Sequence, residues 1–397
     1  MNKKISVGMA VSLTVLSAVL TFTLTMLYAY RNFNLTYESV AERKAMYSKL
    51  SKIDDLIRQN YFKDIDEAKL SDSIAQGYIA GLDDRWARYL GRQETVEREQ
   101  HNNGVEVGIG IMVSRAEDGN LLIVGVTNGS PAQADGIKAG DVIVRVDGNL
   151  VADLNFEDAV AALKNGGTGT VCNFSIRGEN GEEIPKMVTR KEIKTESVTL
   201  EEYDGLGYIK ITAFNKSAAG DFVKAVDELT KSGVRGLIFD LRGNPGGTID
   251  SVTEMLNRIL PAGVLATQTN KGGVTTTLSE SDGPGVDLPM AVLINGSSAS
   301  AAELFAADIR DFGKGPLVGT KTFGKGVMQN TFSLPDGSSV QITTAKFNPH
   351  SGVNFDGVGL LPDKEIDLSD EQKKNLANLS LAEDPQFLAA VDELRVE

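Results

Sequence analysis

Three short runs in the second half of the chain place polar or charged side chains beside glycines, where a backbone can come close to a substrate. The first is Asp240-Leu-Arg-Gly-Asn244-Pro-Gly-Gly247, an apolar stretch that ends in glycines just before a helical pattern. Glycines at such a junction let N–H groups point into a cleft, and the helix N-terminus adds partial positive charge, so the run suits an anion or an oxyanion. A tight strand-to-helix turn without chemistry fits the same residues. The second run is Asn295-Gly-Ser-Ser298-Ala-Ser300-Ala-Ala-Glu303. A serine at the first turn of a helix sits where the dipole favours an oxyanion. Ser300 with Glu303 three residues later is also a capping box, and capping serines outnumber catalytic ones. The third, Gly319-Thr-Lys321-Thr-Phe-Gly324-Lys325-Gly326, nearly spells a phosphate-binding loop. It lacks the Ser or Thr after the lysine, and Val327 to Phe332 reads as a strand where a helix is needed, which argues against nucleotide hydrolysis. What remains is a lysine among apolar neighbours, where desolvation lowers an amine pKa toward general-base duty; an ordinary surface lysine is the default alternative.

Composition narrows the chemistry. The 397 residues hold two histidines, His101 and His350, and one cysteine, Cys172. That excludes an intramolecular disulfide, a cysteine-built zinc site and a multi-histidine metal centre, so no metal and no cofactor is expected. If Ser300 is a nucleophile it needs a base, and Lys325 supplies one without a histidine. A net charge of −14 argues against nucleic acid as a partner.

The surrounding patterns suggest what positions these runs. Strands and helices alternate after about Ser197: strands at 208–211, 237–241, 290–294 and 316–319, helices at 218–231, 249–259 and 301–312. This implies a layered α/β core with its loops of interest at strand ends. Before it, from Gly104 to about Lys191, short β-rich runs separated by glycines surround one helix, Phe156 to Lys164, with Asn155 as its N-cap. Residues 37–89 carry helical periodicity and read as a hairpin or bundle, Gln93 to Asn103 as a polar connector, and the tail as two helical segments, the second opened by Asp384-Pro385. Ile5 to Tyr30 contain no charged side chain. As a helix they would exceed the ~30 Å hydrocarbon core. Lys3 and Lys4 before them, and Tyr28, Tyr30 and Arg31 after, favour an uncleaved anchor with a cytoplasmic tip over a signal peptide.

In this order the motifs resemble the C-terminal processing peptidases, also called tail-specific proteases: a glycine-bearing PDZ-like domain, then Asp240 to Gly247, Ser298-Ala-Ser300-Ala-Ala-Glu303 and Phe323-Gly-Lys325-Gly-Val-Met-Gln329. Lys325 follows Ser300 by 25 positions and Gln329 follows four later, as in the family pattern. The resemblance implies Ser300 as nucleophile, Lys325 as general base, Gln329 as the residue that positions the lysine, and the N–H groups of Gly247 and Ala301 as oxyanion hole. It also implies a protease core of the crotonase/Clp-like type with an inserted or preceding PDZ domain. That domain binds the free carboxyl terminus of a protein substrate and gates the site. Gly108-Ile109-Gly110-Ile111 would be the carboxylate-binding turn beside a strand edge that a peptide extends, with apolar residues of the Phe156 to Lys164 helix lining the pocket; a hairpin with a glycine bulge is the plain alternative. Arg85 and Trp86 depart from the family's usual Pro-Tyr, Ala302 replaces a frequent serine, and His350 reads as a loop histidine.

The expected domains are 1–31 (cytoplasmic tip and anchor), 32–103 (helical), 104–191 (PDZ), 192–367 (Ser-Lys peptidase core) and 368–397 (helical tail). The expected protein is a single-pass, extracytoplasmic serine endopeptidase whose partners are proteins with free C-termini and the membrane. Its terminal helices could serve dimerisation. An inactive PDZ scaffold and a crotonase-like thioester enzyme are the other classes considered.

Overall fold

The computed structural model describes residues 6–178 and 180–395 and divides after Ser73 into two units, 1–73 and 74–397. In the first, α1 (Val7–Asn60) is one helix of 54 residues. The sequence suggests an anchor followed by a separate helix, but no glycine or proline stands between Gly8 and Gly77 to break it. Its stretch Val7–Tyr28 has mean hydropathy 2.0 over 22 residues, long and apolar enough to cross a membrane. Lys3, Lys4 and the side chains of Tyr30 and Arg31 lie outside the described residues. The next helix is α2 (Glu67–Ala80).

The second unit continues with β1 (Arg88–Leu90) and α3 (Arg92–Asn103). The polar connector expected at 93–103 is therefore a helix. Glu94 Oε2 accepts from Gly91 N at its start (2.9 Å), Gln93 bonds Glu97 one turn on (2.9 Å), and Gly104 closes it at φ 75°. Only Thr95 of α3 is buried, so there is no apolar stripe to read.

A small β-domain follows: β2 (Val105–Gly108), β3 (Ile111–Arg115), β4 (Leu121–Val126), α4 (Pro131–Ala134), β5 (Val142–Val146), β6 (Asn149–Leu150), α5 (Phe156–Lys164), β7 (Val171–Arg177), β8 (Glu183–Thr189) and β9 (Lys191–Lys194). Its antiparallel sheet runs β3-β4-β5-β7-β8 with β6 on β5, and closes on α5 through Leu121, Ile123, Ile143, Ala159, Leu163 and Phe174. Asn155 caps α5, its Oδ1 accepting from Asp158 N at 2.8 Å. The chain enters this domain along β2 and leaves along β9, and the two pair antiparallel, Val105 to Lys194 through Gly108 to Lys191.

The remainder comprises β10 (Val198–Tyr203), β11 (Leu206–Ile211), α6 (Lys216–Ser232), β12 (Leu237–Asp240), α7 (Ile249–Ile259), β13 (Gly263–Asn270), β14 (Thr275–Ser281), β15 (Met290–Ile294), α8 (Ala301–Asp311), β16 (Leu317–Gly319), β17 (Val327–Ser333), β18 (Ser339–Asn348), β19 (Lys364–Glu365), α9 (Asp370–Lys374) and α10 (Pro385–Glu393). One sheet has the order β10-β11-β12-β15-β16-β19, parallel from β11 onward. Its inner strands β11, β12, β15 and β16 are buried on both faces and use the two-residue period to serve two cores, while the edge strands β10 and β19 are largely exposed. Leu237, Phe239, Val292 and Ile294 face α6, α7 and α8, whereas Ile238, Ala291 and Leu293 face Phe387, Ala390 and Val391 of α10. A second, antiparallel sheet, β1-β18-β13-β14 with β17 on β18, carries the lysine loop at the start of β17.

Candidate active site

Four segments meet at the carboxyl end of the parallel sheet. After β12, the chain turns through residues 241–248 into α7, and buried polar groups fix that turn. Asn244 Nδ2 donates to Ile211 O (2.8 Å) and its Oδ1 accepts from Gly246 N (2.8 Å). Gly247 has φ 152°, and a Cβ there would lie 2.0 Å from Phe214 O, so only glycine fits. Phe214 N bonds Gly246 O, and Thr248 N bonds Phe214 O, so Gly247 N is skipped.

Beneath the turn, Arg242 bonds Asp240 through Nη2 (2.6 Å) and Nε (2.9 Å), Asp384 (2.7 Å) and Gln386 Oε1 (2.9 Å), while Tyr208 OH donates to Asp240 (2.7 Å). Burial pushes the Asp240 carboxyl up, but the Arg242 charge and these hydrogen bonds more than offset it and hold it below the usual range. Asp240 and Arg242 thus brace the loop against α10.

After β15, the two serines of the second run have different roles. Ser298 is fully buried; its Oγ donates to Leu241 O (2.8 Å) and accepts from Asn295 N (3.0 Å), which locks this loop to the previous one. Ser300, half-buried, has φ 57° and ψ −115°, a sparsely populated conformation for a side chain with a Cβ. It occupies the N-cap of α8, but its hydroxyl makes no hydrogen bond to the first turn. The capping reading therefore holds for position and for Glu303, whose Oε2 accepts from Ser300 N (2.9 Å), but leaves the Ser300 hydroxyl uncommitted. No hydrogen bond among the described residues uses the N–H of Gly247 or of Ala301, next to that hydroxyl.

The lysine loop is tied to the same carboxylate. Glu303, fully buried, also accepts from Lys325 N (2.8 Å), Gly324 N (2.7 Å) and Thr322 Oγ1 (2.6 Å). The loop passes straight into β17, with no helix after the lysine. Lys325 Nζ lies 4.3 Å from the centre of the Trp86 ring. Burial lowers its pKa, Arg98, Arg88 and Arg85 lower it further, and Asp84 opposes them. Among the described residues no hydrogen bond joins Lys325 Nζ to Ser300 or to Gln329; Gln329 Nε2 is placed 3.3 Å from Thr343 Oγ1 and 3.4 Å from Val327 O.

The other sequence candidates lie apart from this cluster. Gly108 ends β2, Ile109 and Gly110 form the turn, and Ile111 begins β3. The N–H groups of Ile109 and Gly110 donate no hydrogen bond among the described residues, while Ile109 O accepts from Ala132 N and Gly110 O from Thr127 N (2.9 Å each). On α5, Ala159 and Leu163 are consumed by the domain core, leaving Phe156 and Val160 at least partly exposed. His350 is a loop residue at the carboxyl-terminal end of α8, its backbone N–H donating to Asp308, its Nδ1 2.7 Å from Val264 O and its ring on Phe312 at 4.2 Å. His101 lies in the last turn of α3. Of two further contributors, the sequence reading takes Glu303 only as the capping partner of Ser300 and gives Trp86 no role. Glu303 is the one charged side chain in the apolar run 301–307, a signal that marks a buried, fully bonded acid. Trp86 shows itself only as a departure from a family pattern.

A serine and a lysine held by one carboxylate beside two unused N–H groups fit acyl transfer, and comparison with known proteins agrees. Residues 205–366 match peptidase family S41 and residues 96–172 match the PDZ domain. The class is thus a serine-type endopeptidase with a PDZ domain. The carboxy-terminal processing protease CtpA of Bacillus subtilis is 32% identical over 363 residues, 91% of this chain and 78% of that protein. A CtpA-like serine protease assignment from Staphylococcus haemolyticus is 32% identical over 78% of this chain and 62% of its own length. A solved structure assigned to the S41 proteases of Bacteroides fragilis shares the fold, with TM-score 0.52 and 18% identity over 84% of this chain and 90% of its own. The chain belongs to the C-terminal processing peptidases of family S41.

Proposed function

We propose that the chain is a membrane-anchored endopeptidase that cuts protein substrates near their carboxyl termini with a Ser300-Lys325 dyad. Neutral Lys325 takes the proton of Ser300 Oγ as that oxygen bonds to the scissile carbonyl carbon, and the N–H groups of Gly247 and Ala301 receive the oxyanion. Lys325 then gives the proton to the leaving amine as the C–N bond breaks, and water, deprotonated by the same lysine, hydrolyses the acyl-enzyme. Gln329 orients the lysine once it turns toward Ser300. Gly108 to Ile111 hold the substrate's terminal carboxylate, and the paired strands β2 and β9 let the PDZ domain gate the cleft. In this reading the domain limits are 104–191 and 192–367, the core is of the crotonase/Clp-like type, α1 anchors the chain with the catalytic part outside the cytoplasm, and the terminal helices serve dimerisation.

The observation that carries the reading is the pair of hydrogen bonds from Ser300 N and Lys325 N to the same oxygen of Glu303, 2.9 and 2.8 Å. The test is cleavage by the full chain, in detergent, of an unstructured protein with a free apolar carboxyl terminus. Ser300→Ala should abolish cleavage without loss of folding, and amidation of the substrate terminus should lower kcat/KM by about tenfold, the value of one charge-assisted contact. Persistent cleavage by purified Ser300→Ala sinks the dyad; indifference to amidation sinks the tail recognition.

A further inference from the structure

Lys325 does not stand alone against Trp86. The Arg85 guanidinium is 4.5 Å from the centre of the same ring and 5.9 Å from that of Phe323, and the Trp86 and Phe323 rings meet edge to face at 6.0 Å. Trp86 is fixed at its backbone, its N–H donating to Asp84 Oδ1 at 2.9 Å. The charged groups that face Lys325 are Asp84 and Arg85 of the segment before β1, Arg88 of β1 and Arg98 of α3, with Glu303 of α8 at its backbone. None of the ion pairs among the described residues involves Arg85, Arg88 or Arg98, so the ammonium group sits among cations that disfavour it. Asp84 offsets part of that repulsion, and the indole face adds to the offset, because the ring quadrupole attracts a cation and gains nothing from a neutral amine.

We propose that Trp86 is a positioning residue for this reaction: it holds the ammonium form of Lys325 on its ring, out of hydrogen bonding with Ser300, so that the dyad closes when the lysine loses its proton and leaves the ring. The proposal rests on the Ser-Lys reading for its kinetic consequence, but the contact itself can be tested without catalysis.

Trp86 is the one tryptophan of the chain, so indole emission of the full chain reports on this ring alone. Titrated from pH 6 to 11, emission should show a step in the wild type and in Ser300→Ala that is missing from Lys325→Met. A titration curve unchanged in Lys325→Met overturns the proposal whatever the enzyme cleaves. In kinetics, Trp86→Leu keeps apolar bulk but removes the quadrupole, so the acid limb of kcat/KM should move down by about half to one pH unit. Activity on the acid side then rises roughly three- to tenfold, while Trp86→Phe, which keeps a ring, lies between. A limb that stays or moves up contradicts the proposal, and a purely structural loss would lower the plateau without moving the limb. If cleavage instead survives Ser300→Ala, the dyad reading fails while the emission test still decides the contact.

Discussion

Glu303 accepts four hydrogen bonds from two loops, and both candidate catalytic side chains leave the backbone at groups it binds. A carboxylate can accept all four; an amide cannot, because on either side its NH2 would face at least one backbone N–H donor in a fully buried position. Glu303→Gln should therefore lower stability by about 2–4 kcal/mol in urea unfolding. It should reduce kcat/KM by about 100-fold, since a shift of roughly 1 Å between nucleophile and base is enough for that. Unchanged kinetics would show that the loops keep their places without it. At this scale the sequence was generous with chemical types and poor in orientation. Ser300, Lys325 and the glycines were legible as a set because a family pattern joins them. The separate roles of Ser298 and Ser300, two residues apart, depend on burial and φ, which the letters do not encode. Trp86 reaches Lys325 across more than 200 positions, and nothing local announces that contact.

Among the elements, those with regular apolar periods were legible. The strand at 290–294 is an unbroken apolar run, that at 237–240 is apolar up to Asp240, and α7 buries Val252, Met255, Leu256 and Ile259 at helical steps. The helix α3 was missed because its contacts are polar: Thr95 Oγ1 bonds Ser339 Oγ at 2.8 Å, and Arg98 reaches Gln341. β13, β14 and β18 are rich in threonine and carry no clean alternation, so of the second sheet only β17, read as a strand at 327–332, was legible before its partners were known. What joins elements at the site is the Arg242 network under the glycine loop. Removing the guanidinium strands Asp240 and Asp384, whose side chains are each 2% exposed, so Arg242→Met should destabilise the core by about 3–5 kcal/mol and lower Tm by roughly 10 °C. The sign of the pH dependence follows from Asp240. Its folded pKa is depressed, so its contribution is present above the unfolded value near ~3.9 and is lost as pH falls through the folded one. An Arg242→Met melting temperature equal to wild type at pH 7 would contradict this.

For the molecule as a whole, an apolar helix able to span a membrane, a PDZ domain carried on two paired strands, and a peptidase core come from one chain of S41 type. The order of these parts was legible from composition shifts and motif order. The continuity of α1 was not, since charged residues appear midway and only the lack of a breaker hints at one helix. The central claim is that neutral Lys325 is the base for Ser300. The most direct measurement is kcat/KM of full-length Lys325→Arg against wild type on a protein with a free apolar carboxyl terminus. Arginine keeps length and charge but stays protonated, with pKa above ~12. The account predicts a loss of about 1,000-fold or more, near the Ser300→Ala background, with unchanged urea unfolding. Activity within about tenfold of wild type would mean that a positive charge suffices at this position and that the proton of Ser300 goes elsewhere.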